Sequence, residues 1–237
     1  MNGPKISRSI YRYSLGKGIE TIQDVIINEE VYKLYVNNSF YRNLYCTPNN
    51  LEELVTGYLA TERLIAESKN INEIKLVDGA VKVKLTPCPP RNIEMVNSDI
   101  FCPAERLIEL MEEHLNKSIL HKQTGGVHIM SLAVPEGLLI SREDIGRHNA
   151  VDKIYGYCLI NNVRCSDKIF LSSGRISHEI MQKLIMMGIK MVVSRAAVTS
   201  LAQEEAEQAE ITTIGFARGQ RFNVYTHPYR IIAGKGR

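Results

Sequence analysis

No run of apolar residues in this 237-residue chain approaches the roughly 20 that a membrane-spanning helix needs. The polar opening Met1-Asn2-Gly3-Pro4-Lys5 has no signal-peptide core, so a cytoplasmic location without membrane association is expected. Excess charge is scarce too. A net charge of +3 is too small to argue for nucleic acid by bulk electrostatics and leaves only a local basic pocket open. Cysteine is sparse and odd in number. Cys46, Cys88, Cys102, Cys158 and Cys165 show neither zinc-finger nor thioredoxin-like spacing, and in a reducing compartment they are expected to be thiols. Cys46, after Leu44-Tyr45, and Cys158, on an apolar helical stripe, read as core. Internal repeats and low-complexity tracts are absent. What is present, 44% apolar and 23% charged residues, supports real cores and argues against global disorder.

Residues 1–90 read as a small strand-rich α+β domain. Asp24 to Asn28 and Val31 to Val36 suggest strands joined by a tight Glu29-Glu30 turn, and Arg42 to Thr47 a third. Thr47-Pro48 offers a cap and a first helical proline, with Leu51, Leu54, Val55, Tyr58 and Leu59 recurring at helical spacing to about Ile65. Asp78-Gly79 is a hairpin turn between Ile74 to Val77 and Val81 to Leu85. The prolines of Thr86-Pro87-Cys88-Pro89-Pro90-Arg91 then stop helix and sheet alike, and 91–102 is expected to be a linker and cysteine loop.

From 103 to 237 helix and strand patterns alternate: helices from Pro103 to Leu115, from Arg147, from Ile176 to Met187 and from Thr199 to Ala209. Strands fall at Val127 to Val134, Gly137 to Ile140, Ile169 to Leu171, Met191 to Val193, Thr212 to Phe216 and Phe222 to Tyr225. Such alternation predicts an α/β layered domain with helices covering a sheet.

The densest functional chemistry lies in Arg142-Glu143-Asp144-Ile145-Gly146-Arg147-His148-Asn149-Ala150-Val151-Asp152-Lys153, whose residue types bind anions, orient ligands and move protons. Ser141 to Asp144 reads as a loop entering a helix on which His148 and Asp152, one turn apart, could form an imidazole–carboxylate pair, or else cap and pair locally. Ser172-Ser173-Gly174-Arg175 suits a phosphate at a helix start, or is a turn with a capping serine. Phe216-Ala217-Arg218-Gly219-Gln220-Arg221 places two guanidinium groups around a glycine between strands, which an exposed hairpin would also do. All three follow strands of one domain, which favours convergence on a polyanionic ligand. In Thr124-Gly125-Gly126-Val127-His128 the glycines suggest close approach to His128. His227 reads as structural, and His114 and His121 as solvent-facing. Zinc deamination is excluded, because Met130 stands where an H-x-E motif needs glutamate and no C-x-x-C occurs. Cys102, before Pro103 and a helix, is expected to be an accessible thiol activated by the helix dipole, or an ordinary loop cysteine beside Phe101.

Thr124 to His128, Arg142 to Lys153, Ser173 to Arg175 and Gly215 to His227 closely resemble the formate dehydrogenase accessory sulfurtransferases, the FdhD family. The helix from Leu51 to Leu59 resembles that family's N-terminal domain, and the likeness spans about Asp24 to Ile231. The resemblance implies a cytidine deaminase-like C-terminal domain without the deaminase zinc. It also implies a sulfur carrier, loaded with a persulfide by a cysteine desulfurase. The sulfur then passes to the bis(molybdopterin guanine dinucleotide) molybdenum cofactor before insertion into formate dehydrogenase. By this likeness Cys102 is the catalytic residue, and Phe216 to Arg221 match the cofactor-binding segment. The polyanion reading adds His128, Arg142, Asp144, His148, Asp152, Ser173, Gly174 and Arg175. A guanine nucleotide would mimic the cofactor, and a homodimer is expected by resemblance alone. The family usually shows C-x-x-C where this chain has Asp99 and Cys102, so a dithiol relay cannot operate here. Two other readings stay open: a non-catalytic chaperone delivering the cofactor, and an enzyme acting on a free nucleotide through His148 and Asp152.

Overall fold

The computed structural model describes residues 3–89 and 100–234. Its first element is a long antiparallel hairpin, β1 (Lys5–Ser14) and β2 (Gly18–Ile27), with Lys5 opposite Ile27. A four-stranded sheet follows from β3 (Glu30–Val36), β4 (Ser39–Cys46), β5 (Ile71–Val77) and β6 (Ala80–Leu85), in the order β4-β3-β6-β5. Helix α1 (Leu51–Thr61) connects β4 to β5. The β5–β6 hairpin expected at Asp78-Gly79 is present, both residues having positive φ (49° and 72°). The expected Glu29-Glu30 hairpin is not: β2 pairs with β1, and β3 with β4 and β6. Chain reversals fall where positive φ is cheap, at Gly16 and Gly18 and at Asn37-Asn38 (φ 47° and 68°), which two glutamates do not offer. Likewise α1 starts after Asn50, which holds the N-cap position in a left-handed conformation without a side-chain bond, while Thr47 is engaged elsewhere; the helix ends before Arg63, whose φ is 60°.

The second part opens with β7 (Cys102–Pro103), α2 (Ala104–Lys117) and α3 (Ile119–Thr124). Then come β8 (His128–Val134), β9 (Gly137–Asp144), α4 (Arg147–Ile160), β10 (Ile169–Ser172), α5 (His178–Met187) and β11 (Met191–Ser194). The chain finishes with α6 (Ser200–Gln208), β12 (Thr212–Arg218), β13 (Arg221–Thr226) and β14 (Ile231–Ile232). Six strands form one sheet in the order β13-β12-β11-β10-β8-β9, parallel at its centre (β10, β11, β12) and antiparallel at both flanks. Strands β10 and β11 are apolar up to their final serines, Ser172 and Ser194, because both faces are covered. Phe170, Val192, Met130 and Leu132 face one core with α4, α5 and α6. Ile169, Leu171, Met191 and Val193 face another with Leu107, Leu110 and Met111 of α2. The result is helix, sheet, helix, the expected α/β layering. No helix among the described residues is long and apolar enough to cross a membrane.

Helix α1 crosses α4 at a pair of glycines. A Cβ on Gly57 would lie 1.9 Å from the Asp152 carbonyl oxygen, and one on Gly156 1.8 Å from that of Glu53. This contact fuses the cores: Leu54, Val55 and Leu59 pack in one cluster with Val151, Ile154 and Tyr155, each burial contributing about 1.5–3 kcal/mol for such side chains.

Candidate functional site

The parallel strands β10, β11 and β12 all end at one edge of the sheet. Antiparallel β8 begins there at His128, and β9 ends there at Asp144, opposite His128. Ligands of open α/β sheets sit outside this carboxyl edge. Here the loops are locked by their own serines. Ser173 Oγ accepts from Ile129 N (3.0 Å), while Ser172 Oγ and Ser194 Oγ both donate to the Gly174 carbonyl (2.9 and 2.8 Å). Gly174 is needed for close approach: a Cβ there would come within 3.1 Å of His128 Nδ1 and 3.7 Å of Arg147 Cβ. A cavity of about 360 Å³ opens beside it, lined by Gly125, Gly126, His128, Ile145, Ser173 and Arg195.

The cavity's neighbourhood suits an anion. Gly146 stands at the N-cap of α4 and gives no side-chain bond to the first-turn N–H groups of this 14-residue helix, which begins at Arg147. Arg147 Nε is buried with no hydrogen-bond partner among the described residues. Arg218 donates from Nε to the Arg195 carbonyl (2.9 Å), with its guanidinium 5.6 Å from the Phe216 ring centre. Phe216 holds a positive φ of 52° at a bulge in β12, where few non-glycine residues sit without a local reason. His128 is held below the usual imidazole range by burial first and by the neighbouring Arg147 and His121 next. His148 is also lowered, by burial, then by Lys183 and Arg147. In both rings the surroundings favour the neutral form.

Of the residues marked in the sequence, the structure brings together His128, Ser173 and Gly174 at the cavity, while Phe216 and Arg218 are tied to the loop after β11 through the Ala196 and Arg195 carbonyls. Arg175 stands exposed in the loop after β10, and Gly219, Gln220 and Arg221 form the exposed tip of the β12–β13 hairpin. The Ala217 side chain, expected among the cofactor contacts, is instead 2% exposed and packs in the core under α2. Arg147 and Arg195 were not singled out. Arg195 directly follows the apolar strand Met191–Ser194, the same strand-end position in the sequence that marks Ser173 and Gly174.

Arg142, Asp144 and Asp152 do not face the cavity. Arg142 lies in β9, not in a loop; it forms a two-pronged ion pair with Glu53 of α1 and lies 5.2 Å from the Tyr157 ring centre. Asp144 is fully buried against Lys153 (2.7 Å), accepts from Thr47 N (3.2 Å) and holds the turn before α4 through Gly146 N and Asn149 Nδ2 (2.9 Å each). Lys153 Nζ reaches Asn49 Oδ1 at 2.8 Å. Asp152 is bound by Lys183 Nζ (2.6 Å to each oxygen) and by Thr61 Oγ1 (3.2 Å), and burial pushes its carboxyl up to about 6 despite Lys183. His148 pairs with Glu179 (3.2 Å), so the expected His148–Asp152 couple does not form. The block from Arg142 to Lys153 is chiefly a staple between the two parts of the chain. Its polar types satisfy one another across a buried seam.

Cys102 also departs from expectation. Its thiol is completely buried, paired in β7 with β14, and burial pushes it up to about 11, outweighing the nearby Arg106. Desolvation opposes the thiolate more strongly than the start of α2 favours it. Asp99 lies outside the described residues. The 14-residue α2 separates Cys102 from Leu115 and Ser118 at the cavity, a helix length of about 20 Å. His114, expected in solvent, is fully buried on α2 with Nδ1 2.7 Å from Ser131 Oγ, since the helical face that carries Leu107, Leu110 and Met111 also carries it.

The FdhD/NarQ family profile matches residues 27–94 and 88–232. The chain is 35% identical to the sulfur carrier protein FdhD of Bacillus subtilis, over 94% of this chain and 96% of that protein. It is 37% identical to the sulfur carrier protein FdhD of Halalkalibacterium halodurans over 90% of each. A solved structure assigned as a formate dehydrogenase accessory protein from Desulfotalea psychrophila superposes with a TM-score of 0.85 and 26% identity, covering 96% of this chain and 99% of that one. The chain therefore belongs to the FdhD/NarQ family.

Proposed function

We propose that this protein is a cytoplasmic sulfur carrier in formate dehydrogenase maturation. It holds the guanine-dinucleotide molybdenum cofactor, as substrate, at the carboxyl edge of a cytidine deaminase-like sheet. The observation that carries the reading is a cavity lined by His128, Ser173 and Arg195, with Gly174 packed between His128 and Arg147 at the start of α4 and Arg218 bonded to the Arg195 carbonyl. Phosphates of a dinucleotide cofactor need such donors, and the buried Arg147 Nε still lacks an acceptor among the described residues. Phe216 and the Arg218 guanidinium supply a flat surface for a guanine.

In the sulfur step, the Cys102 thiolate attacks the outer sulfur of a persulfide on a cysteine desulfurase. One S–S bond forms on Cys102, the donor's S–S bond breaks, and the donor leaves as a thiolate. No external oxidant is required. A second reading, a chaperone that binds the cofactor without carrying sulfur, draws on the complete burial of Cys102. The nucleotide-enzyme reading loses its acid–base pair, because Asp152 is taken by Lys183 and Thr61. Intact mass after incubation with a cysteine desulfurase and cysteine decides between the first two. One added sulfur that is absent from Cys102→Ala supports the carrier; an unmodified protein that still binds a guanine nucleotide establishes the chaperone. A homodimer belongs to the same proposal, and sedimentation tests it.

A further inference from the structure

Among the described residues, Cys102 is covered by α2 and the sheet on its core side and by β14 along its strand edge. The two covers are unequal. On the core side stand Leu107, Leu110, Leu171 and Val193, all fully buried. On the other lies a strand of two residues, Ile231 opposite Cys102 and Ile232 opposite Pro103. Proline has no N–H to give to this ladder. Ile231 packs against the core cluster, whereas Ile232 is 52% exposed.

The ends of this segment are defined. Just before it, Arg230 is 4% exposed and donates from Nη1 to the Glu210 carbonyl (2.9 Å) and to Thr212 Oγ1 (3.2 Å), which anchors the chain to the start of β12. Just after it, Gly234 rests on the first turn of α2, where a Cβ would stand 2.8 Å from Glu105 Oε1. Residues 231–234 therefore run across the beginning of α2 from a fixed pivot, held by one apolar side chain and a minimal ladder. Segments with so few buried contacts open far more often than the domain unfolds.

We propose that residues 231–234 are a strap that closes over Cys102, and that its release about the Arg230 anchor, with the sheet intact, exposes the thiol. Its purpose rests on the reading of Cys102 as the sulfur-bearing residue. Access itself is measured without any sulfur donor, so failure of a cysteine desulfurase to load sulfur would count against that reading and leave the rates below unchanged.

The test is modification by N-ethylmaleimide under native conditions, with sites assigned by peptide mass. Cys46 and Cys158, both buried in the other core, report global opening. In a chain ending at Arg230, and in Ile231→Gly, modification of Cys102 is expected to quicken by about tenfold or more while Cys46 and Cys158 stay slow. Rates that rise together at all three sites, or no change at Cys102, overturn the strap. Wild-type protein gives an independent reading should either variant fail to fold. In urea below the unfolding transition, Cys102 modification should be nearly independent of urea while that of Cys158 climbs. Equal slopes would sink the proposal.

Discussion

Asp144 and Lys153 stand 2.7 Å apart with both side chains fully buried, at the seam where Thr47 and Asn49 meet the start of α4. Removing one member strands the other charge out of water. Lys153→Met is expected to lower unfolding free energy in urea by about 3–5 kcal/mol. The half-exposed Lys168–Asp167 pair supplies the contrast, since Asp167→Asn should change stability by no more than about 1 kcal/mol. Equal effects from the two substitutions would show that this buried pair does not staple the two parts of the chain.

The glycine crossing makes a sharper prediction. At Gly57 and Gly156 the atoms an added methyl would meet are backbone carbonyl oxygens, which cannot swing aside. Gly57→Ala and Gly156→Ala should therefore each destabilise by at least about 3 kcal/mol, the upper end of ordinary overpacking. Gly137→Ala, with nothing within 4 Å of the new Cβ, should leave the urea midpoint nearly unchanged. A mild effect at Gly156 would mean that α1 and α4 do not lie this close in solution.

His114 carries a pH signature. Burial pushes its imidazole down to about 3, whereas an unfolded chain binds the proton near pH 6.5. Between those values the unfolded state holds more protons, so the sign is fixed: stability rises with pH across this window and falls on acidification. From pH 7 to pH 5 this group alone removes about 2 kcal/mol. His128 and His148, also lowered, act in the same direction, and Asp152, raised to about 6, acts in the opposite one. The comparison is therefore the difference in slope between wild type and His114→Gln. Parallel stability–pH curves for the two proteins would show that His114 is not buried as a neutral ring.

These cases also show what the residues disclosed in advance. Alternating helix and strand patterns from 103 onward gave the layered sheet, because period and length are local properties of the chain. Asp78-Gly79 disclosed its hairpin for the same reason. The pairing of β2 with β1 was not legible, since Glu29-Glu30 between two apolar runs mimics a turn until partners compete for the strand. The site was legible where glycines and serines follow strands, at Ser173-Gly174 and beside His128. It was misread at Arg142, Asp144 and Asp152, because a polar group that binds a ligand and one that binds Glu53, Lys153 or Lys183 look alike in one dimension. For Cys102 the helix start was visible and the covering strand, about 130 residues later in the chain, was not.

The cradle can be separated from the staple by binding, with GDP as the probe. Arg147→Ala and Arg195→Ala should each weaken binding by about tenfold to a hundredfold, the equivalent of 1.5–3 kcal/mol for a hydrogen bond to a charged group. Arg142→Ala should lower stability, through the lost pair with Glu53, and leave GDP affinity nearly unchanged. Gly174→Ala, whose methyl would press on His128, should weaken binding without a matching loss of stability. The pH dependence follows from the ring. A bound phosphate favours protonated His128, whose free form is held low by burial and Arg147, so binding takes up a proton. Affinity should rise as pH falls through the ordinary histidine range, and His128→Asn should flatten that rise. Isothermal titration in two buffers of different ionisation enthalpy reads the proton uptake directly. Zero uptake in wild type, or equal losses from Arg142→Ala and Arg195→Ala, would place the anion somewhere other than this edge of the sheet.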